Sequence, residues 1–221
     1  GQMCGAVNSL DMKTAADAVI IGGGVMGTSI AWNLAQLGMT NSVVIERRDL
    51  GSGSTSRTMG ILRMHYSNEV TTKMALKSLK IIQDFEDIVG VPSGYVRTGY
   101  LLIAGSKHRV PLQANVAMQK SLGLDTEILD QESTRKIYPA ISLDEDEICA
   151  FEPESGYADA HSITHGYATQ AKSMGSQIFT ETEVIGIEIK NGRVVSVQTT
   201  SGSISTPIAV LATGPWSPLF F

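Results

Sequence analysis

Apolar residues 18–21 run straight into three glycines, and a second apolar run from Ser42 ends in the acid Glu46. Between them Ile30, Leu34 and Leu37 recur at helical spacing on what should be the sheet side of a helix, and Gly38 stands where a C-cap glycine belongs. That order predicts strand, tight turn, helix, strand. A long helix follows over 68–89, with Ala75, Leu79, Ile82, Phe85 and Val89 on one face and Gly90 and Pro92 as its stop. Alternation predicts a strand over 95–104, a helix over 111–122, a short strand over 126–129 and a capped helix over 130–138, closed by Pro139. The acidic stretch 144–147 reads as a solvated loop. From Gly156 onward the pattern gives a helix over 161–173 and an extended piece over 177–180. Three antiparallel strands then occupy 183–190, 193–200 and 202–205, turning at Asn191 and Gly192. A last apolar strand, 206–211, ends in small residues.

The glycines Gly22, Gly24 and Gly27 have separate tasks. Gly22 lets the chain turn out of the strand, Gly24 lets backbone amides approach a diphosphate, and Gly27 lets the helix pack close to the sheet. The helix N-terminus, with Met26 in its first turn, offers unpaired amides and a positive dipole end to an anion. Glu46 lies about 20 residues on, where a carboxylate accepts both hydroxyls of an adenosine ribose and repels a 2′-phosphate, which disfavours NADP. A bare glycine pattern also fits a plain structural turn. The flanking strands, helix and acid together favour nucleotide binding.

Composition narrows the class. The chain of 221 residues is 43% hydrophobic, as a globular protein with a full core is, and its 17 basic and 22 acidic residues give a net charge of −5 without a basic block. Nothing points to nucleic acid or an anionic membrane as partner. Cys4 and Cys149 stand alone, without metal-ligand spacing, which makes a reducing, cytoplasmic setting the expectation. Residues 1–17 are polar and mixed, read as an N-terminal extension rather than a signal or transit peptide, with Met12 an ordinary start. No apolar run approaches the roughly 20 residues of a membrane span.

Three further stretches carry candidate chemistry. Residues 51–57, including Gly53, Ser54, Thr55, Ser56 and Arg57, pack many N–H and O–H donors into a short loop, suited to a second contact with a dinucleotide or to a flexible surface. Arg63 follows an apolar pair and precedes His65 and Tyr66. Its planar guanidinium can clamp a carboxylate with two hydrogen bonds, or serve as an ordinary ion-paired arginine. His161 and His165, four apart with Asp159 just ahead, have metal-ligand spacing, yet no third ligand is evident and Asp159 equally suits a helix start, so no metal site is expected. At the end, Ala212, Thr213 and Gly214 bring a second small-residue turn to the same crevice beyond the strand ends.

The ordered set Gly22-x-Gly24-x-x-Gly27, Glu46, the 51–57 run, Ile61-Leu62-Arg63, Gly156-x-x-Asp159 and Leu211-Ala212-Thr213-Gly214-Pro215-Trp216 resembles the D-amino-acid-oxidase-like FAD family. The sarcosine oxidase, dimethylglycine dehydrogenase and proline dehydrogenase β-subunit branch looks most similar, over nearly the whole chain. The resemblance implies an α/β architecture: a glutathione-reductase-like FAD domain of Rossmann type over 18–90 and 155–221, split by part of an α+β substrate domain over 91–154. It implies that Glu46 takes the adenosine ribose, that Arg47 and the 51–57 run lie along the FAD, that backbone at Val184 meets the adenine, and that Ala212 to Trp216 complete the site. It also implies that Arg63 holds the substrate carboxylate, with His65 and Tyr66 on the same wall. The implied chemistry is oxidation of a secondary or tertiary amino acid at the carbon beside nitrogen, with oxygen or an electron-transfer protein as final acceptor.

Departures qualify the resemblance. Family members continue well past the Ala212-Thr213-Gly214 strand, so a chain ending at Phe221 reads as the N-terminal part of an enzyme or as one that needs a second polypeptide. The 51–57 run has no histidine to carry a covalent flavin, and Ala160 stands where proline is usual. Besides the amino-acid oxidoreductase, a non-catalytic FAD-binding module and an NAD-dependent dehydrogenase are the alternatives.

Overall fold

The computed structural model describes residues 12–220. Its elements, in chain order, are β1 (Ala18–Ile21), α1 (Val25–Gln36), β2 (Ser42–Ile45), β3 (Ile61–Leu62), α2 (Glu69–Gln83), α3 (Phe85–Val89), β4 (Val96–Arg97), β5 (Tyr100–Ala104), α4 (Arg109–Ser121), β6 (Glu127–Leu129) and α5 (Gln131–Ile137). They continue with β7 (Ile148–Glu152), β8 (Gly156–Tyr157), α6 (Ala160–Ser173), β9 (Gln177–Phe179), β10 (Val184–Lys190), β11 (Arg193–Thr199), β12 (Gly202–Ser205) and β13 (Ala209–Leu211). Two compact units form. One takes the chain up to Thr58, Val89–Val91 and everything from Ala160; the other takes Met59–Ile88 and Pro92–Asp159. Cys4 and the rest of the expected extension up to residue 11 lie outside the described residues.

In the first unit four parallel strands are ordered β13-β1-β2-β9, with Val19 opposite both Ala209 and Val43. β1 and β2 are buried along their whole length, as strands covered on both faces must be. Side chains alternate between the faces. Val19, Ile21, Val43 and Ile45 meet Phe179, Val197 and Ile204 in one cluster, so one face is covered by the antiparallel meander β10-β11-β12. α1 packs against the sheet and against α6, where Trp32 and Tyr167 lie with ring centroids 5.2 Å apart. The meander's turn has Asn191 at φ 51° and Gly192 at φ 74°, the two left-handed residues that a two-residue hairpin requires.

The stripe expected on α1 is displaced. Leu37 is 85% exposed, and the buried side is Gly27, Thr28, Ala31, Trp32 and Ala35. The cause is close approach: a Cβ on Gly27 would stand 1.8 Å from the Gly22 carbonyl oxygen, so the side facing the sheet must be made of small residues, one position round from the leucines.

In the second unit β5, β7 and β6 form an antiparallel sheet with β7 central. Leu102, Ile128, Ile148 and Ala150 pack under Leu112 and Val116 of α4, while Leu101, Leu129, Cys149 and Phe151 pack with Ile141 and Leu143 on the other side. Cys149 is buried and unbridged. A smaller sheet runs β3-β8-β4.

Residues 59–88 depart from the expected domain plan. Leu79, Ala75 and Leu76 of α2 pack among Met64, Tyr95 and Leu124, all of the second unit, so the contacts of the segment lie in that unit. The helix expected over 68–89 also breaks at Asp84. The Ser93 hydroxyl donates to the Ile82 carbonyl at 2.7 Å, an acceptor that a continuous helix would give to residue 86. The strand expected over 95–104 splits at Gly99, whose φ is 74° and where a Cβ would stand 2.6 Å from the Phe151 ring.

Candidate functional site

The first unit gathers its candidates at the carboxyl ends of β1, β2 and β13, where ligands of open parallel sheets bind. Gly22 donates to the Ile45 carbonyl and Ala212 to the Ile21 carbonyl, both at 2.8 Å, which ties the three strand ends together. Gly22 has φ 110°, and a Cβ there would stand 2.6 Å from the Ala212 carbonyl oxygen, so only glycine lets this turn pass so near the second one. Residues 51–57 join the same corner: Gly51 donates to the Gly23 carbonyl at 2.9 Å, and Val25 donates to the Thr55 hydroxyl at 3.1 Å.

Glu46 follows β2 directly and is half-buried. Its Oε2 accepts from the Gly23 amide at 2.7 Å and its Oε1 from the Arg48 amide at 2.9 Å. The carboxylate is therefore already fixed, with lone pairs to spare for further donors. It also takes Gly23 out of the set of amides available to a diphosphate, as Thr55 does Val25. Gly24, Met26 and Gly27 remain at the head of α1, where no earlier helical carbonyl exists to pair the amides of Met26 and Gly27. Gly24 is half-buried, and its bare Cα leaves Thr55 room, since a Cβ would stand 3.0 Å from the Thr55 oxygen. The Thr182 amide donates to the Glu46 carbonyl at 3.0 Å, which ties the segment leading into β10, where Val184 stands, to the end of β2.

Arg47 lies over the Trp216 ring at 5.1 Å, and a Cβ on Gly53 would stand 3.2 Å from the same ring. Thr213 and Ser217 share a hydroxyl hydrogen bond of 2.9 Å that closes the 213–217 turn, while Gly214 takes φ 56° near Ser54. Ser56 donates to the carbonyls of Ser52 and Gly53, so its hydroxyl serves its own loop, and Arg57 is exposed. The set fits FAD: amides at a helix head and small turns for the diphosphate, a fixed carboxylate for the ribose, and hydroxyls with two arginines along the edge.

The second unit holds the Arg63 group. β3 is only two residues long, and the chain leaving it carries Arg63, Met64, His65 and Tyr66. The exposed Arg63 guanidinium donates to the His65 carbonyl at 2.9 Å and lies 4.9 Å from the Tyr66 ring and 6.0 Å from the Tyr100 ring. Beside it is a cleft of about 220 Å³ lined by Ile61, Tyr66, Ala75, Ser78 and Leu79 as well. Arg63 makes no salt bridge among the described residues, so the ordinary ion-paired reading finds no acid.

His65 does not join Tyr66 on that wall. It is 7% exposed and its Nδ1 lies 3.6 Å from Oε1 of Glu152, a carboxylate with no exposed surface. The Tyr66 carbonyl is held by Nε2 of buried Gln119 at 2.9 Å. Glu152, Gln119 and Tyr100 were not singled out by the sequence. Glu152 closes a strand whose run Ile148-Cys149-Ala150-Phe151 is apolar throughout, and an acid ending such a run is the one signal it left.

The two histidines of α6 lie with ring centroids 4.1 Å apart. Burial first, then the neighbouring charges of His161 and Lys172, hold His165 below its ordinary range. No group of three His, Cys, Asp or Glu among the described residues is arranged to hold a metal. No helix among them is long and apolar enough to cross a membrane.

The model of the family described as FAD dependent oxidoreductase matches residues 17–221. The chain belongs to that family. FAD is its cofactor. The mitochondrial pyruvate dehydrogenase phosphatase regulatory subunit of Mus musculus is 30% identical, over 95% of this chain and 24% of its own length. The mitochondrial sarcosine dehydrogenase of Homo sapiens is 28% identical over the same shares. Among solved structures, L-proline dehydrogenase from P. horikoshii superposes with a TM-score of 0.87 at 30% identity, over 95% of this chain and 55% of that one. The chain thus spans about a quarter of the length of those curated relatives and about half of the solved one.

Proposed function

We propose that this chain belongs to an FAD-dependent oxidoreductase that oxidises the C–N bond of a secondary or tertiary amino acid of the sarcosine, dimethylglycine or proline type. The observation that carries the reading is Arg63, an exposed guanidinium without an acidic partner among the described residues, bonded to a carbonyl and near two tyrosine rings beside a cleft. Such a fork is ready for two parallel hydrogen bonds to a carboxylate, and it fixes which C–H of the amine is presented. Tyr66 walls the cleft, and the apolar side chains of Ile61, Ala75 and Leu79 suit the aliphatic part of the substrate. When bound, FAD supplies the electron sink that takes the hydride equivalent. In this reading the first unit is the FAD-binding domain: Glu46 holds the ribose, the head of α1 holds the diphosphate, and Arg47, residues 53–57, Val184 and residues 212–216 line the cofactor. The similarity to sarcosine dehydrogenase and to L-proline dehydrogenase supports it.

A second reading, a regulatory FAD-binding subunit without catalysis, draws on the similarity to the phosphatase regulatory subunit. A visible spectrum separates the two. Flavin bands that bleach on anaerobic addition of sarcosine, dimethylglycine or proline are expected. Flavin bands that none of these amines bleaches support the regulatory subunit, and a colourless protein refutes both.

A further inference from the structure

We infer that Glu152 is the positioning residue of the Arg63 clamp, a role that rests on reading Arg63 as the carboxylate-binding group. Past Leu62 the β3 ladder has ended, so the amide of Met64 has no strand partner. Glu152 supplies one: its Oε2 accepts from the Met64 amide at 3.0 Å and from the Ser155 hydroxyl at 2.8 Å. Its Oε1 faces Nδ1 of His65 at 3.6 Å, and the His65 carbonyl in turn accepts from the Arg63 guanidinium. Gln119 then holds the next carbonyl, that of Tyr66. Three consecutive residues behind the guanidinium are thus fixed from inside the second unit.

Stability alone does not account for this acid. Glu152 has no exposed surface, and its Oε1 and both ring nitrogens of His65 are buried without a hydrogen bond in full range. Burying a carboxylate is costly, and Oε1 has no hydrogen bond to offset that cost, while a truncation at this position leaves the Met64 amide and His65 without their partner. The arrangement trades stability for a fixed backbone at one place, and that place carries Arg63.

The test is calorimetric binding of anthranilate to the flavin-loaded protein, with 2-aminobenzamide as the probe lacking a carboxylate. Glu152→Leu is expected to weaken anthranilate about tenfold while leaving 2-aminobenzamide and flavin content unchanged. Glu152→Gln, whose amide oxygen still accepts from Met64, should recover affinity to within about threefold of the unaltered protein. If the leucine variant does not fold, Ser155→Ala carries the test through the donor it removes from Oε2, with about threefold weakening of anthranilate alone. Wild-type affinity in these variants, or equal loss of both probes, overturns the role of Glu152. Arg63→Ala guards the underlying reading. If anthranilate binds Arg63→Ala as tightly as the unaltered protein, or binds the latter no better than 2-aminobenzamide, it is the clamp itself that fails.

Discussion

Glu46 braces the glycine turn and, in the proposed reading, holds the ribose, and replacing it with alanine should separate the two. In the protein alone its carboxylate accepts from the amides of Gly23 and Arg48 at 2.7 and 2.9 Å, so truncation leaves the first glycine turn without its acceptor. Hydrogen bonds to a charged group are worth about 1.5–3 kcal/mol when well shielded. Glu46 is half-buried and Arg48 exposed, so solvent replaces much of that, and we expect a loss of about 1–2 kcal/mol in the flavin-free protein. For a chain of this size the melting temperature should fall by roughly 2–8 °C. The ribose contacts we propose come on top and act only when FAD is bound. Losing two charge-assisted bonds there, discounted in the same way for solvent at a half-buried site, should raise the Kd for FAD about 10- to 100-fold, read from quenching of free flavin fluorescence on titration with flavin-free protein. Glu46→Gln, which keeps one acceptor for Gly23 but loses the charge, should restore most of the melting temperature and little of the FAD affinity. A lower melting temperature with FAD affinity unchanged would refute the ribose role, leaving Glu46 as a brace of the turn.

Two further outcomes follow from the geometry. Gly27→Ala places a methyl within 1.8 Å of the Gly22 oxygen, forcing α1 away from the turn, and should cost about 1–3 kcal/mol in chemical denaturation; stability within about 0.3 kcal/mol of the original would refute the contact. Asp130 caps α5, and the hydrogen bond from the Ser133 amide holds its carboxyl below the usual 3.8. Because the folded-state value is the lower one, the cap's charge stabilises the fold above the unfolded value and ceases to as pH falls through the folded one. The stability gap between the original protein and Asp130→Asn should therefore shrink between about pH 5 and about pH 2, and a gap constant over that range would count against the linkage.

What the sequence revealed and what it hid divide along a physical line. The strands and the turn of the first crossover, and the later β10–β11 hairpin, were legible because each has a local cause: β1 and β2 are short apolar runs, Gly22 needs a positive φ, and Asn191 and Gly192 need two. The face of α1 was misread because helical periodicity marks where apolar side chains recur, whereas the packed side is chosen by how near the backbone must come. At 1.8 Å from an imaginary Cβ, proximity outranks hydrophobicity, and alanines displace leucines. The split of the long helix at Asp84 lay equally out of reach, since the hydroxyl responsible belongs to Ser93, nine residues on and past the stop.

The same distinction governs the Arg63 group. Exposed Arg63 and half-buried Tyr66 stood out because a cation and an aromatic beside apolar residues break the local pattern. Glu152 broke a pattern too, as an acid at the end of an apolar run, yet its partner lies 88 positions back along the chain and nothing local shows that the two meet. Buried polar residues are satisfied by tertiary neighbours, and such pairings are set by the whole fold. A reading that starts from accessible chemistry therefore finds the residues proposed to touch a ligand and misses those proposed to aim them. In this chain the second kind is one carboxylate with no exposed surface, held by the Met64 amide between Arg63 and His65.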